Sequence, residues 1–440
     1  MADASSASPL LPPTGKSATA ARYARCTSHA HDELRSFRAC LGWLCVDHSS
    51  RPSSAASWAV FLLLAVVVPS AVRLATPGSA TPRPFDGQVQ VFLTLAASLA
   101  YLTLADLLRR AGGLRRLLYL DSLRRDSEDV QAGYSAQLAR SFRVLACFAF
   151  PCSLADTAYK VYWYCAAAPS FRSPWWAAVA CAVEIASWVY CTALFFMVCV
   201  LFRVICYLQI LRMVGFAREF GRFADVATVL QHHRRIREQL RKISHRYRKF
   251  IVCSLVLVSA CQFATLLATT RPHATVNLAT AGELVLCSIS LVAGLLVCLY
   301  SAAKITHKTQ AMTSVAAAWH ADATVHAFDN DQENPDPDLP PTAGYLAPAN
   351  AYRLAPGDES GSDDDDRRSE TSSLDDPKYV PFLANDICFQ KRQALVTYLE
   401  NNRAGITVYG FVVDRAWLHA LFMIEFSLVM WLLGKTVGIS

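Results

Sequence analysis

The chain has 440 residues, 53% of them hydrophobic and 18% charged, with a formal net charge of +7. It is too apolar for an ordinary soluble protein of this length. The basic residues do not alternate with aromatics along a groove, so the excess charge needs no nucleic-acid partner. Attraction to anionic lipid heads, about 1 kcal/mol per basic residue near a surface, and helix orientation account for it. A crossing of the roughly 30 Å hydrocarbon core takes about 20 apolar residues. Seven windows supply them, at 57–75, 88–108, 141–165, 176–206, 250–270, 279–302 and 412–434.

Residues 1–54 read as a cytosolic arm. Its first fifteen residues have neither a basic stretch nor an apolar run, so a cleaved signal peptide is not expected and the first membrane helix directs insertion. Residues 32–45 read as a short amphipathic helix lying on the membrane. Cys26, Cys40 and Cys45 precede the first window and are candidates for acylation, the plainer reading being inert thiols. Ten of the fifteen cysteines fall within the windows and Cys165 ends one of them at the outer face; inside a membrane a thiol acts as a small hydrophobe. Neither an outer disulfide framework nor a zinc site is expected.

Lys and Arg collect on the cytosolic side of membrane helices. Arg109, Arg110, Arg115, Arg116, Arg124 and Arg125 follow the second window, and twelve more Lys and Arg lie from Arg203 to Lys249. The opposite turns hold only Arg73 and Arg83, then Arg172, then Arg271. The expected fold is therefore an all-α, polytopic, seven-helix membrane protein of inverted topology. Its amino terminus is cytosolic and its carboxyl terminus outside, most naturally in the plasma membrane.

Residues 55–328 hold the first six crossings with cytosolic helical extensions. From 207 to 249 the pattern stays helical without proline. Val229, Ile236, Ile243 and Phe250 recur every seven residues beside Val226, His233, Leu240 and Tyr247, a narrow seam suited to packing on other helices. The alternative is a helix lying on the membrane surface. Residues 303–328 continue the sixth helix, with Ile305, Met312, Val315 and Trp319 as contacts. Residues 329–381 are rich in Pro, Ser and Asp and read as a disordered acidic loop. Ser360, Ser362, Ser369, Ser372 and Ser373 there are candidate phosphorylation sites. Residues 382–404 form a cytosolic anchor helix over 386–403. Gly405 and Gly410 break the chain before the last crossing, within 405–440.

Ionisable side chains inside a membrane are costly unless paired or wetted, so each is a functional candidate. Asp156 and Lys160 are one helical turn apart and can neutralise each other. Tyr159 and Trp163 share their neighbourhood. Glu184 precedes Trp188 by one turn in the fourth helix, and Glu283 opens the sixth. By orientation all lie in the outer half of the bilayer, which points to a wet ligand pocket; independent structural pairing, with Trp163 in an aromatic belt, is the alternative. In the last helix, Asp414, Leu418, Leu421, Glu425, Leu428 and Leu432 share one face. Around an oligomer axis they would form carboxylate rings selecting cations and a leucine constriction gating by dewetting. In a monomer, Glu425 would need a buried partner such as His419 or Lys160. No GxSxG, HExxH or phosphate-loop pattern stands in context, and the histidines lack ligand spacing, so no enzyme, metal or cofactor is expected.

The stretch Gln393-Ala-Leu-Val-Thr-Tyr-Leu-Glu-Asn-Asn-Arg-Ala-Gly-Ile-Thr-Val-Tyr-Gly-Phe-Val-Val-Asp414, with the segment from Lys304 to His320, resembles a plant family of membrane proteins of unassigned function. That family is in turn similar to the seven-helix insect gustatory and odorant receptors, which are tetrameric ligand-gated cation channels. The resemblance implies a cytosolic anchor built from 207–249, 303–328 and 386–403, and a gate near Leu428 and Leu432. It also implies an outer pocket at Asp156, Lys160, Glu184, Trp188 and Glu283. Where insect gustatory receptors carry Thr-Tyr and Gln-Phe in the last helix, this chain reads Ile424-Glu425-Phe426 and Met430-Trp431. The expected function is a chemoreceptor-like cation channel, a homotetramer in lipid taking a small-molecule ligand and passing monovalent or divalent cations. Rival readings are a non-conducting scaffold and a small-molecule transporter. No broken-helix pair or repeat supports the transporter.

Overall fold

The computed structural model describes residues 35–46, 48, 51–75, 85–109, 128–167, 174–219, 226–270, 278–333 and 389–437. Cys26, Arg110, Arg115, Arg116, Arg124 and Arg125, and the acidic loop from 334 with its five serines, lie outside them; the first five residues expected in that loop, 329–333, are instead the end of a helix. Apart from one two-residue β ladder, every element among the described residues is helical. In chain order these are α1 (Arg35–Trp43), α2 (Arg51–Leu62), a π-helical turn (Leu63–Val67) and α3 (Val68–Ala75). There follow α4 (Asp86–Arg109), α5 (Glu128–Ala167), α6 (Pro174–Glu219), α7 (Val226–Thr269) and α8 (Leu278–Glu333). The chain closes with α9 (Phe389–Asn401), β1 (Thr407–Val408), β2 (Phe411–Val412) and α10 (Arg415–Val437).

Among the described residues, six helical segments are long and apolar enough to cross a membrane: Arg51–Leu74, Asp86–Arg109, Ala139–Ala166, Pro174–Ala217, Val226–Leu267 and Ala281–Val325. They coincide with the first six windows and make the chain a multi-pass membrane protein by length and composition. The segment expected as the seventh begins later than 412. Phe411–Val412 pairs with Thr407–Val408, and the helix starts at Arg415, running 23 residues.

The apolar window of α6 is 94% buried, whereas that of Ala139–Ala166 is only 12% buried. A helix apolar on every side is stable only when surrounded, and α6 has α4, α5 and α8 packed around it. The α2–α3 segment and α5 instead show apolar side chains such as Leu62, Val67, Phe150 and Tyr162 on the outside, the surface that lipid tails would solvate. Close approach at the centre uses a small residue, as membrane helix interfaces commonly do. Gly294 of α8 lies directly against the Phe195 ring of α6.

At 1.5 Å per residue, the 56 residues of α8 span about 84 Å, more than twice the roughly 30 Å of hydrocarbon. The helices therefore extend well past the bilayer. The seam read in α7 faces inward: Val226, Val229, His233, Ile236, Leu240, Ile243, Tyr247 and Phe250 are all buried. Arg234, Arg235, Arg237 and Arg241 are exposed beside it. Packing inside the protein, rather than on a membrane surface, is what this face does. Ile305, Met312 and Trp319 of α8 are likewise buried, with Val315 half-buried.

The anchor helix and the break after it dock on these extensions. Leu395 and Leu399 of α9 are buried. Arg237 donates to Asn402 Oδ1 at 2.6 Å, and the His233 ring meets that of Tyr398 edge-on at 5.6 Å. The break is a hairpin, Thr407 opposite Val412 and Val408 opposite Phe411. Its turn residues, Tyr409 (φ 49°) and Gly410 (φ 93°), both take the positive φ that a tight two-residue hairpin requires. Thr309 Oγ1 donates to the Ala404 carbonyl at 2.6 Å, while the Ile406 N–H donates to Thr306 Oγ1 at 3.2 Å. The Thr407 N–H donates to Ser244 Oγ at 3.1 Å. The hairpin is thereby pinned to α7 and α8 and sets where α10 begins.

Near the amino terminus the amphipathic segment is a helix, α1. It ends in a hydrogen-bonded cap, with Val46 N–H donating to Leu41 O at 2.9 Å and Cys45 N–H to Gly42 O at 3.0 Å. Cys45 occupies the left-handed cap position, φ 51°, usually filled by glycine. Leu41 and Val46 are buried in the main core while Trp43 is exposed. Of the acylation candidates described, Cys45 is exposed and Cys40 half-buried.

Candidate functional site

Four of the charged residues singled out in the sequence meet at one end of the bundle, where α5 finishes and α6 and α8 begin. The helical turn from Asp156 to Lys160 puts both on one face of α5, and Lys160 Nζ lies 3.2 Å from Asp156 Oδ2. Across the helix interfaces the same ammonium lies 3.3 Å from Glu283 Oε1 on α8 and 3.9 Å from Glu184 Oε1 on α6. One buried lysine thus serves three buried carboxylates. The Tyr164 hydroxyl donates to Glu184 Oε2 at 2.7 Å, fixing that carboxylate. Trp188, one turn beyond Glu184, presents its ring to Lys160 Nζ at 5.9 Å from the centroid. Trp163 is buried and packs edge-on against Tyr164, centroids 5.0 Å apart. Tyr159, on the same helix, is half-buried.

Three contributors were missed by sequence reasoning. Asp86, the first residue of α4, brings a carboxylate oxygen within 4.8 Å of those of Glu184 and Glu283. The Arg73 guanidinium, from α3, lies against Gly87; a Cβ there would sit 2.7 Å from a guanidinium nitrogen. Tyr164 was passed over as an ordinary aromatic. Asp86 sits in a Pro- and Gly-containing turn, where an acid usually signals only a helix start. Its one available signal was its likeness to Glu283, another acid opening a helix at the same end. A charged group of this kind can bind a cation or a polar ligand and hold it electrostatically in a low-dielectric wall.

The residues expected to line a pore are placed differently from one another. Asp414 caps α10, accepting a hydrogen bond from the Trp417 N–H at 2.9 Å through Oδ1. Asp414→Ala therefore costs about 1 kcal/mol, read as a lower melting temperature of the purified protein, whereas Asp414→Asn keeps the cap. Glu425 is buried and accepts from Ser259 Oγ of α7 at 3.0 Å. Neither His419, which is exposed, nor Lys160 is its partner. Leu418 and Leu421 pack on the core and Leu428 is half-buried, so this face of α10 looks into its own bundle. The side chain of Leu432 lies outside the described residues. The opposite face, with Phe422, Met423, Phe426 and Met430, is exposed, and the Phe422 and Phe426 rings stack at 5.3 Å.

At the far end of the bundle a second charged group surrounds Tyr207 of α6. Arg203 lies over its ring at 4.7 Å and Lys304 at 4.9 Å, the lysine also donating to its hydroxyl at 3.2 Å. Arg248 likewise covers the Tyr409 ring of the hairpin at 5.0 Å. A shallow groove of about 490 Å³ lies along α9, lined by Gln390, Gln393, Ala394, Thr397, Tyr398, Asn401 and Asn402.

No curated protein and no solved structure matches the chain. The model of one family, described as a protein of unknown function (DUF3537), matches residues 32–424, most of the chain and every helix as far as the first part of α10, and the protein belongs to that family.

Proposed function

We propose that the protein is an oligomeric, ligand-gated cation channel of chemoreceptor type. It crosses the membrane seven times, its amino terminus is cytosolic, and α10 stands next to the symmetry axis of a homotetramer. The observation that carries the reading is the pairing of a buried charge cluster at one end of the bundle with an apolar, uncovered face of α10. Phe422, Met423, Ile424, Phe426, Met430 and Trp431 are all exposed, more than a helix bathed only by lipid on one narrow stripe requires. Helix extensions beyond the bilayer and the amide-lined groove on α9 offer subunits a place to hold one another outside it.

In this account the ligand enters the pocket of Asp156, Tyr159, Lys160, Trp163, Glu184, Trp188 and Glu283. Binding shifts gating only by as much as the ligand prefers the open arrangement of those helices. The pore wall is re-assigned from the spacing-based face. In one protomer Glu425 turns inward to Ser259, so the surface left for the axis is that of Phe422, Phe426 and Met430, with Asp414 at the mouth. Leu428 and Leu432 lie on the side of Glu425, so on the axis-facing surface Phe426 and Met430 form the constriction.

A hydrophobic gate closes by expelling water, so a hydroxyl in it leaks without ligand. Liposomes holding purified Phe426→Ser or Met430→Ser protein are expected to release K⁺ with no ligand added, and wild type to stay tight. Folded variants that both remain tight would refute the channel reading in favour of a non-conducting scaffold.

A further inference from the structure

We infer that Arg203 and Lys304 form a binding site for the phosphate of an anionic phospholipid head group, set between α6 and α8 at the end of the bundle away from the carboxylate cluster. The first ground is Arg203 itself. It is 6% exposed, its Nε is buried without a hydrogen-bond partner, and no carboxylate pairs with it among the described residues. Its contact with Tyr207, 4.7 Å from the guanidinium carbon to the ring centre, occupies the flat face of the group and supplies no acceptor to the N–H donors, which lie in its plane. A buried charge with no partner is strongly unfavourable, and buried polar groups in folded proteins are almost always hydrogen-bonded. Two oxygens of one phosphate fit that edge in parallel hydrogen bonds.

The second ground is depth. Arg203 comes 29 residues after the start of α6 at Pro174, and Lys304 comes 26 residues after the start of α8 at Leu278. At 1.5 Å per residue these are about 44 and 39 Å along the two helices. Both distances exceed the roughly 30 Å of hydrocarbon and fall near the roughly 40–45 Å that includes the head groups. The site is therefore level with lipid phosphates.

The third ground is a second cation. Lys304 Nζ lies 4.9 Å from the centre of the same Tyr207 ring and donates to its hydroxyl at 3.2 Å, so one tyrosine gathers a cation from each helix. Lys304 is half-buried and has further interactions. It adds positive potential beside Arg203, and the unmet hydrogen bonding is that of Arg203. Basic pockets between membrane helices at this depth suit anionic head groups.

Conduction plays no part in this site: a non-conducting scaffold would hold the lipid equally well, and the test reads binding instead of current. Detergent-purified full-length protein is titrated with dioleoylphosphatidylglycerol and, separately, dioleoylphosphatidylcholine, and bound lipid is counted by native mass spectrometry. The expected result is one phosphatidylglycerol per chain, held at least tenfold more tightly than phosphatidylcholine. That preference falls at least fivefold in Arg203→Gln and less in Arg203→Lys, which keeps the charge but not the fork. It is unchanged in Arg235→Gln, at an exposed position of α7. Should Arg203→Gln not fold, Arg203→Lys and Lys304→Gln decide, each expected to lower the preference at least twofold. No preference in folded wild type, a preference unchanged by the Arg203 variants, or an equal fall in Arg235→Gln overturns the site. Displacement of the lipid by millimolar inorganic phosphate overturns the choice of a lipid.

Discussion

Lys160→Met destabilises the folded protein by about 3–5 kcal/mol, the loss expected when one partner of a buried ion pair is removed and the other stays charged. The effect belongs at the upper end of that range, because the lysine serves three carboxylates at 3.2–3.9 Å. Methionine matches the lysine stem in length and keeps most of its packing against Trp188, so the loss reports charge rather than volume. The diagnostic is rescue. Lys160→Met combined with Asp156→Asn and Glu283→Gln removes the carboxylate charges that the ammonium had balanced, and most of the melting temperature returns. Tryptophan-fluorescence melts of detergent-purified protein measure both. A single variant as stable as wild type would mean that the carboxylates are already protonated or otherwise compensated, and the site would lose its electrostatic basis.

Gly294→Ala is the second large effect, for a steric reason. The added methyl would overlap Cε1 of Phe195 and sit 3.0 Å from its Cδ1 and 3.4 Å from Cys199 Sγ. Phe195 is buried and cannot swing aside, because Phe196 lies 6.2 Å from it and Phe250 6.0 Å, centroid to centroid. Overpacking a filled core costs about 1–3 kcal/mol, and here it falls between α6 and α8, the central interface of the bundle. Phe195→Leu in the Gly294→Ala background makes room and restores part of the loss. If Gly294→Ala melts with wild type, α6 and α8 are not as close as described.

Much of the fold is written in periodicity. The seven-residue recurrence from Val229 to Phe250 identified the buried face of α7 because one stripe of apolar residues among arginines can face only inward. The uninterrupted apolar run of α6 announced a surrounded helix in the same way. The hairpin at 407–412 was legible only as a break: two-residue strands carry no period, although Tyr409-Gly410 holds the positive φ values that make the turn. For the site, one-turn spacing joined Asp156 to Lys160, and depth in the bilayer joined both to Glu184 and Glu283. Depth alone could not find Asp86, which sits in a polar turn at the edge of its window. Shared spacing put Leu418, Leu421, Glu425 and Leu428 on one side of α10, with Asp414 its exposed cap, yet it is silent on what that side faces. Ser259 answers that through its bond to Glu425, and no pattern in α7 advertises a lone serine.

Electron cryomicroscopy of the full-length protein in nanodiscs addresses the channel account most directly, since subunit number and the surroundings of α10 are read in one map. Four subunits with α10 innermost, Phe422, Phe426 and Met430 toward the axis and α9 helices in contact below the bilayer, is the predicted result. A monodisperse single protomer with α10 facing lipid would contradict it.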